Sequence, residues 1–299
     1  QNPLVVIGPD RFSGTNDATS VNLTANGVKG SMSVTVANGA GFAAGQFVLL
    51  DADEYNAGAF VALPFRHSPP SAAIWASDRA VYMRHNPIDN IIDDPFPESL
   101  NWFSRSGRAI AEVKKIAAVS GNLITFTTPL HIDYPTSKIS QLTRYTFAHV
   151  QNAGVENLKM IGASDGSLRF ETAAFSWAKG VEITVWYGEG VSIANSFGIE
   201  VRDSYIHDAA FASPGGIAYA ISLSNAASEA LIENNIILAS NKMIVARCAG
   251  AGSVVAYNYM DDGYINYAVD FVEVGLNASH MVGSHHVLFE GNQAFNYDS

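Results

Sequence analysis

Carboxylates, an arginine and a run of histidines crowd one stretch of the chain. Asp261-Asp262, Asp270, Glu273, His280, His285 and His286 follow one another within 26 residues, and Arg247 stands just before them. Paired carboxylates suit glycosidic-bond cleavage, one protonating the leaving oxygen while the other activates water. The planar fork of Arg247 could clamp a carboxylate or sugar hydroxyls, and a histidine near Glu273 could move protons. The candidate catalytic residues are therefore Glu273, Asp262, Asp261, Arg247, His280 and His285. Candidates for holding substrate are His207, Asp208 and Asp270, with Trp186 and Tyr187 of "TVWYG" as rings on which a sugar could stack. Each has a plainer alternative. A turn Asp caps backbone amides, an Arg–Glu pair is often a surface ion pair, and an aromatic is often core.

No metal or other cofactor is expected. The spacing H-x4-H-H fits no recognised zinc pattern. Asp51, Asp53 and Glu54 form an acidic knot that could take Ca²⁺, although it lacks the spacing of a known calcium loop. A P-loop is missing from the sequence, and no G-x-G-x-x-G dinucleotide fingerprint follows a strand.

The composition narrows the class. The 299 residues are 48% hydrophobic and only 15% charged, enough apolar material for a large core. A net charge of −11 without a Lys/Arg cluster argues against nucleic acid as a partner. No apolar run reaches the ~18 residues of a membrane span. The single cysteine, Cys248, rules out an intrachain disulfide. Low Lys content, abundant Asn, Ser, Gly and Thr, and many aromatics lean towards a secreted, sugar-facing protein, with "QNPLVV" readable as an end left by signal cleavage.

These residues must be positioned by β structure. "GSMSVTVANGAGFAAGQFVLL" (30–50) reads as two strands around a Gly-Ala turn, and 109–130 as a hairpin through Ser120-Gly121-Asn122. Between them lies a proline- and aromatic-rich insertion, 52–108. From about 150 short β-rich runs recur, and four align on a small polar residue: Ser204, Asn235, Asn258 and Asn292. The intervals of 31, 23 and 34 suggest a base period near 23 with loop insertions, a solenoid signature. The expected organisation is a β-rich cap and first coils over 1–150, then coils over 151–299.

Coils of β-branched strands with an Asn recurring at one corner resemble the right-handed parallel β-helix of the pectin-lyase-like superfamily, in which stacked Asn side chains satisfy corner amides. Asn235, Asn258 and Asn292 match that ladder; Ser204 departs from it. The resemblance implies an all-β solenoid but not a substrate, because the superfamily spans lyases, hydrolases, epimerases, esterases and phage tailspikes. The chain stops in mid-repeat, so a further segment or a second polypeptide is expected to complete the helix.

On the ladder alignment, His207, Leu238 and Asp261 should stack, as should Asp208, Ala239 and Asp262. Adjacent coils lie ~4.8 Å apart, placing Asp208 and Asp262 roughly 9 to 10 Å from each other. That is the upper edge of the ~6.5–9.5 Å used in inverting hydrolysis. Arg247 should point outward near Glu273. The expected function is a secreted glycoside hydrolase acting on a neutral or weakly charged polysaccharide. A polysaccharide lyase or epimerase, or a non-catalytic tailspike-like glycan binder, is the alternative.

Overall fold

A computed structural model describes residues 3–9, 19–52, 104–105, 108, 110–212, 218–263, 275–277, 284–295 and 297–298. Three parallel sheets form the larger part. The first runs through Val5–Ile7, Leu168–Glu171, Glu189–Ala194, Tyr219–Ser224, Ile244–Ala246, Leu276–Asn277 and Tyr297–Asp298. The second comprises Lys159–Ile161, Glu182–Thr184, Tyr205–His207, Ile236–Leu238 and Tyr259–Asp261. The third comprises Gly154–Glu156, Trp177–Lys179, Glu200–Arg202, Leu231–Glu233, Val254–Ala256 and Leu288–Glu290. The chain visits third, second and first sheet in turn, so each circuit is one coil of a right-handed parallel β-helix.

Third-sheet strands begin at 154, 177, 200, 231, 254 and 288, giving intervals of 23, 23, 31, 23 and 34. The 23-residue period therefore starts two coils earlier than the Asn alignment, with Leu158 and Val181 at the ladder position. Beyond them the ladder is continuous. Asn235 Oδ1 accepts from the Ser204 amide (3.1 Å), Asn258 Oδ1 from the Asn235 amide (3.0 Å), and Asn292 Oδ1 from the Asn258 amide (3.0 Å). Ser204 takes part by accepting from the Val181 amide at 3.2 Å. One residue before each, Asn157, Gly180, Asp203, Asn234, Tyr257 and Gly291 all have φ between 53° and 62°. Gly, Asn and Asp occupy this left-handed corner at low cost, so the corner favours the residue types found at five of its six positions.

Val5–Ile7 pairs in register with Leu168–Phe170, so the chain enters the solenoid before leaving it. It then builds a six-stranded antiparallel sheet in the order Val21–Asn22, Gln141–Arg144, Phe47–Ala52, Ile110–Ser120, Leu123–Phe126 and Ser33–Thr35. Strand alternation gives this sheet two apolar faces. Phe47, Leu49, Ala111 and Val113 pack on Ala174, Phe197 and Ala226 of the helix. Val48, Leu50, Ile110, Ile116, Tyr134 and Leu142 form a separate core. Most of the insertion expected at 52–108 lies outside the described residues.

Candidate active site

The second sheet presents the richest outward chemistry. Met160, Ile183, Ile206, Ile237 and Met260 point inward and are buried. Alternation therefore turns two files outward: Lys159, Glu182, Tyr205, Ile236 and Tyr259, and Ile161, Thr184, His207, Leu238 and Asp261. Tyr205, Ile236 and Tyr259 are exposed. A groove of about 710 Å³ runs along the start of this face, lined by Lys159, Glu182, Tyr205 and Ile236.

Four ionisable side chains on neighbouring coils meet there. His207 Nδ1 lies 2.7 Å from Asp208 Oδ2, and its Nε2 lies 3.1 Å from Glu182 Oε1. Lys159 Nζ donates to the same Glu182 oxygen at 2.6 Å. The Lys159 and His207 hydrogen bonds hold the Glu182 carboxyl below the usual glutamate range. The Tyr205 ring stacks on His207 at 3.9 Å between centroids. Two coils on, Tyr259 donates its hydroxyl to Asp261 Oδ2 at 3.1 Å, which pushes the phenol up, and the Asp262 amide donates to Asp261 Oδ1.

The expected stacking is found: His207 pairs with Leu238 and Leu238 with Asp261. Asp208, Ala239 and Asp262 follow at a second left-handed corner, with φ of 54°, 51° and 58°. Among the other described candidates, Arg247, Trp186 and His285 are not brought to this face. Arg247, a residue beyond the first-sheet strand Ile244–Ala246, is buried, lies over the Tyr219 ring and pairs with Glu189. Trp186 corrects the expectation of a stacking ring. It is fully buried in the helix core, with Nε1 donating to the Tyr219 carbonyl at 2.9 Å. Tyr187 remains exposed and stacks with Phe211. Glu273, Asp270 and His280 lie outside the described residues. Sequence reasoning undervalued Glu182. It lies one coil from His207, and the 23-residue period connects them once the earlier coils are counted.

Asp51 of the acidic knot is buried between Arg108 (2.7 Å) and Arg105 (3.2 Å), whereas Asp53 and Glu54 lie outside the described residues. Among the described residues, no three His, Cys, Asp or Glu side chains are placed to hold a metal.

No family profile and no curated protein matches the sequence. Two solved structures share the architecture. The tailspike gp61 of Pseudomonas phage phi297 superposes with a TM-score of 0.54 at 12% identity, over 83% of this chain and 35% of its own. The tailspike gp49 of Pseudomonas phage LKA1 gives 0.51 at 14% identity, over 82% and 34%. The chain shares its fold with phage tailspikes. It spans about a third of the length of each.

Within this tailspike-like fold, His285 belongs to a different place from the carboxylates. It is buried at the junction with the antiparallel sheet, its Nε2 3.7 Å from Glu112 Oε1. The buried Glu112 carboxylate also receives Lys114 Nζ (2.9 Å), His131 Nδ1 (2.7 Å) and the Tyr134 hydroxyl (3.0 Å). Desolvation opposes ionisation of Glu112, but the histidine and lysine partners prevail and hold its carboxyl well below the usual range. His286 stays exposed beside His131 and accepts from Lys29 Nζ at 3.0 Å. No helix among the described residues is long and apolar enough to cross a membrane.

Proposed function

We propose that this chain binds a polysaccharide along the outward face of the second sheet and cleaves it by hydrolysis. The observation that carries the reading is the pair of carboxylates, Glu182 and Asp208, held on opposite sides of one imidazole, His207. Two carboxyls set apart by an imidazole and its two hydrogen bonds, of 2.7 and 3.1 Å, suit the ~6.5–9.5 Å separation of inverting hydrolysis. Glu182, kept ionised by Lys159 and His207, is the base that activates water. The His207–Asp208 pair delivers the proton to the leaving oxygen. Tyr205 and Tyr259 offer apolar ring faces for sugars, and Asp261 and Asp262 accept hydroxyls further along. A polymeric substrate places the reaction outside the cell.

The test is a panel of purified polysaccharides read simultaneously for new reducing ends and for ultraviolet absorbance. Hydrolysis releases reducing ends without absorbance; a lyase gives both, and a binding module gives neither. Glu182→Gln is expected to lower turnover about 10²–10⁴-fold. Full activity in Glu182→Gln, with loss in Glu273→Gln, would move catalysis to the candidates first singled out by sequence.

A further inference from the structure

We propose that the third sheet carries a second carbohydrate subsite, built on Trp177, that grips the polymer away from the bond being cut. It rests on the polysaccharide reading above and adds a site to it. Trp177 opens its strand between Gly154 on one neighbouring coil and Glu200 on the other. A methyl group at Gly154 would stand 2.4, 2.5 and 2.6 Å from indole Cε2, Nε1 and Cδ2. Near-equal distances to three ring atoms mean that the face of the indole, not its edge, rests on the glycine. Nε1 donates to Glu156 Oε1 at 2.7 Å, which fixes the ring in its plane. Phe175 is held in the same way, its Cδ1 3.2 Å from where a Cβ on Gly198 would sit. It is exposed, with Lys115 Nζ 4.7 Å from its ring centre.

The two rings line a cavity of about 360 Å³ whose charged rim is Glu156, Glu200, Lys179 and Arg202. That volume is at the small end of the ~300–1,000 Å³ usual for ligand sites, enough for a short sugar segment. Two acids and two bases cancel, and Arg202 already lies 3.2 Å from Glu200. Such a rim suits a neutral, hydroxyl-rich ring with its C–H face on the indole. A polyanion or nucleic acid would call for cationic excess. Glu156, Lys179 and Arg202 each precede by three residues Lys159, Glu182 and Tyr205 of the groove, so cavity and groove flank one corner on the same three coils.

The experiment uses the full chain on an array of neutral hexasaccharides (cello-, malto-, manno- and xylohexaose), with oligogalacturonate and an oligothymidylate as charged probes. The parent polysaccharides are assayed in parallel for reducing ends. Wild type is expected to bind at least one neutral hexasaccharide. Trp177→Ala should weaken that binding about tenfold, Trp177→Phe less. Gly154→Ala, which keeps the indole but lifts it, should behave like Trp177→Ala. Thermal melts identify any variant that fails to fold. Capture of charged probes alone, absence of neutral binding, or wild-type binding in both Trp177→Ala and Gly154→Ala would overturn the subsite. If binding falls as expected but no polysaccharide yields reducing ends, the subsite stands and the hydrolytic reading fails. Released reducing ends with undiminished binding in both variants would sink the subsite alone.

Discussion

Lysine, glutamate, histidine and tyrosine meet twice in this molecule, with opposite consequences. On the second sheet, Lys159, Glu182, His207 and Tyr205 gather at the surface, and the Lys159–Glu182 pair is roughly half exposed on each side (46% and 37%). At the junction, Lys114, Glu112, His131 and Tyr134 gather where Glu112 and Lys114 are essentially inaccessible (0% and 1%). Water can substitute for any partner in the first network, so the network is free to exchange a protein contact for a substrate one. Water cannot reach the second, so every partner is needed to offset the cost of burying its charges. The same residue types are thus available for chemistry in one place and bound to architecture in the other.

Substitutions can break that contrast. Glu112→Gln leaves Lys114 charged and buried without its carboxylate, and should cost about 3–5 kcal/mol in denaturant-induced unfolding. A loss under ~1 kcal/mol would mean that water enters the junction. Second in size is an acid effect at the same interface. His149, buried against Phe47 and Tyr145 with Nε2 donating to the Asn195 carbonyl, is pushed down to about 4 by desolvation. An unfolded histidine titrates near 6.5, so stability should fall as pH drops from about 6.5 towards 4, by on the order of 3 kcal/mol. Glu112 adds to this below about pH 4.5, where its lowered carboxyl begins to lose its folded-state advantage. His149→Phe should flatten the upper part of that profile, and an unchanged slope would assign the acid sensitivity elsewhere.

The ladder comes next. Asn258 accepts from the amide and side chain of Asn235 and donates to the Ile232 carbonyl and to Asn292. Asn258→Ala should cost about 1–3 kcal/mol, read from the unfolding midpoint, because buried corner groups lose their partners. The smallest effect on stability belongs to the surface network. Glu182→Gln should leave the melting temperature unchanged even as turnover collapses. A marked drop in melting temperature would place Glu182 with Glu112 as architecture.

The asparagine recurrence made the fold legible because a solenoid repeats one local solution to one local problem. Asn235, Asn258 and Asn292 face the same unpaired amides, so the same residue recurs at a spacing visible in the chain. Leu158 and Val181 fill the same position without that side chain, which hid the first coils and, with them, the link between Glu182 and His207. The junction was hidden for a different reason. Glu112 and His285 belong to separate architectures, and no period relates them. Candidates chosen for nearness in sequence, Arg247, Asp261 and His285, were dealt out to the first-sheet face, the second-sheet face and the junction respectively. Consecutive segments of a coil point in different directions, so nearness along the chain does not mean nearness in space.

The intervals of 23, 31 and 34 residues carry a consequence for how such a molecule can change. Every strand of the second sheet keeps its register, while the chain between His207 and Tyr219, and between Asp261 and Leu276, lengthens freely. Closing a longer loop costs only about 0.6 kcal/mol per doubling of its length. Loop content is thereby uncoupled from the scaffold. New recognition segments could be exchanged at these turns, by selection or by an engineer, without repacking a single rung.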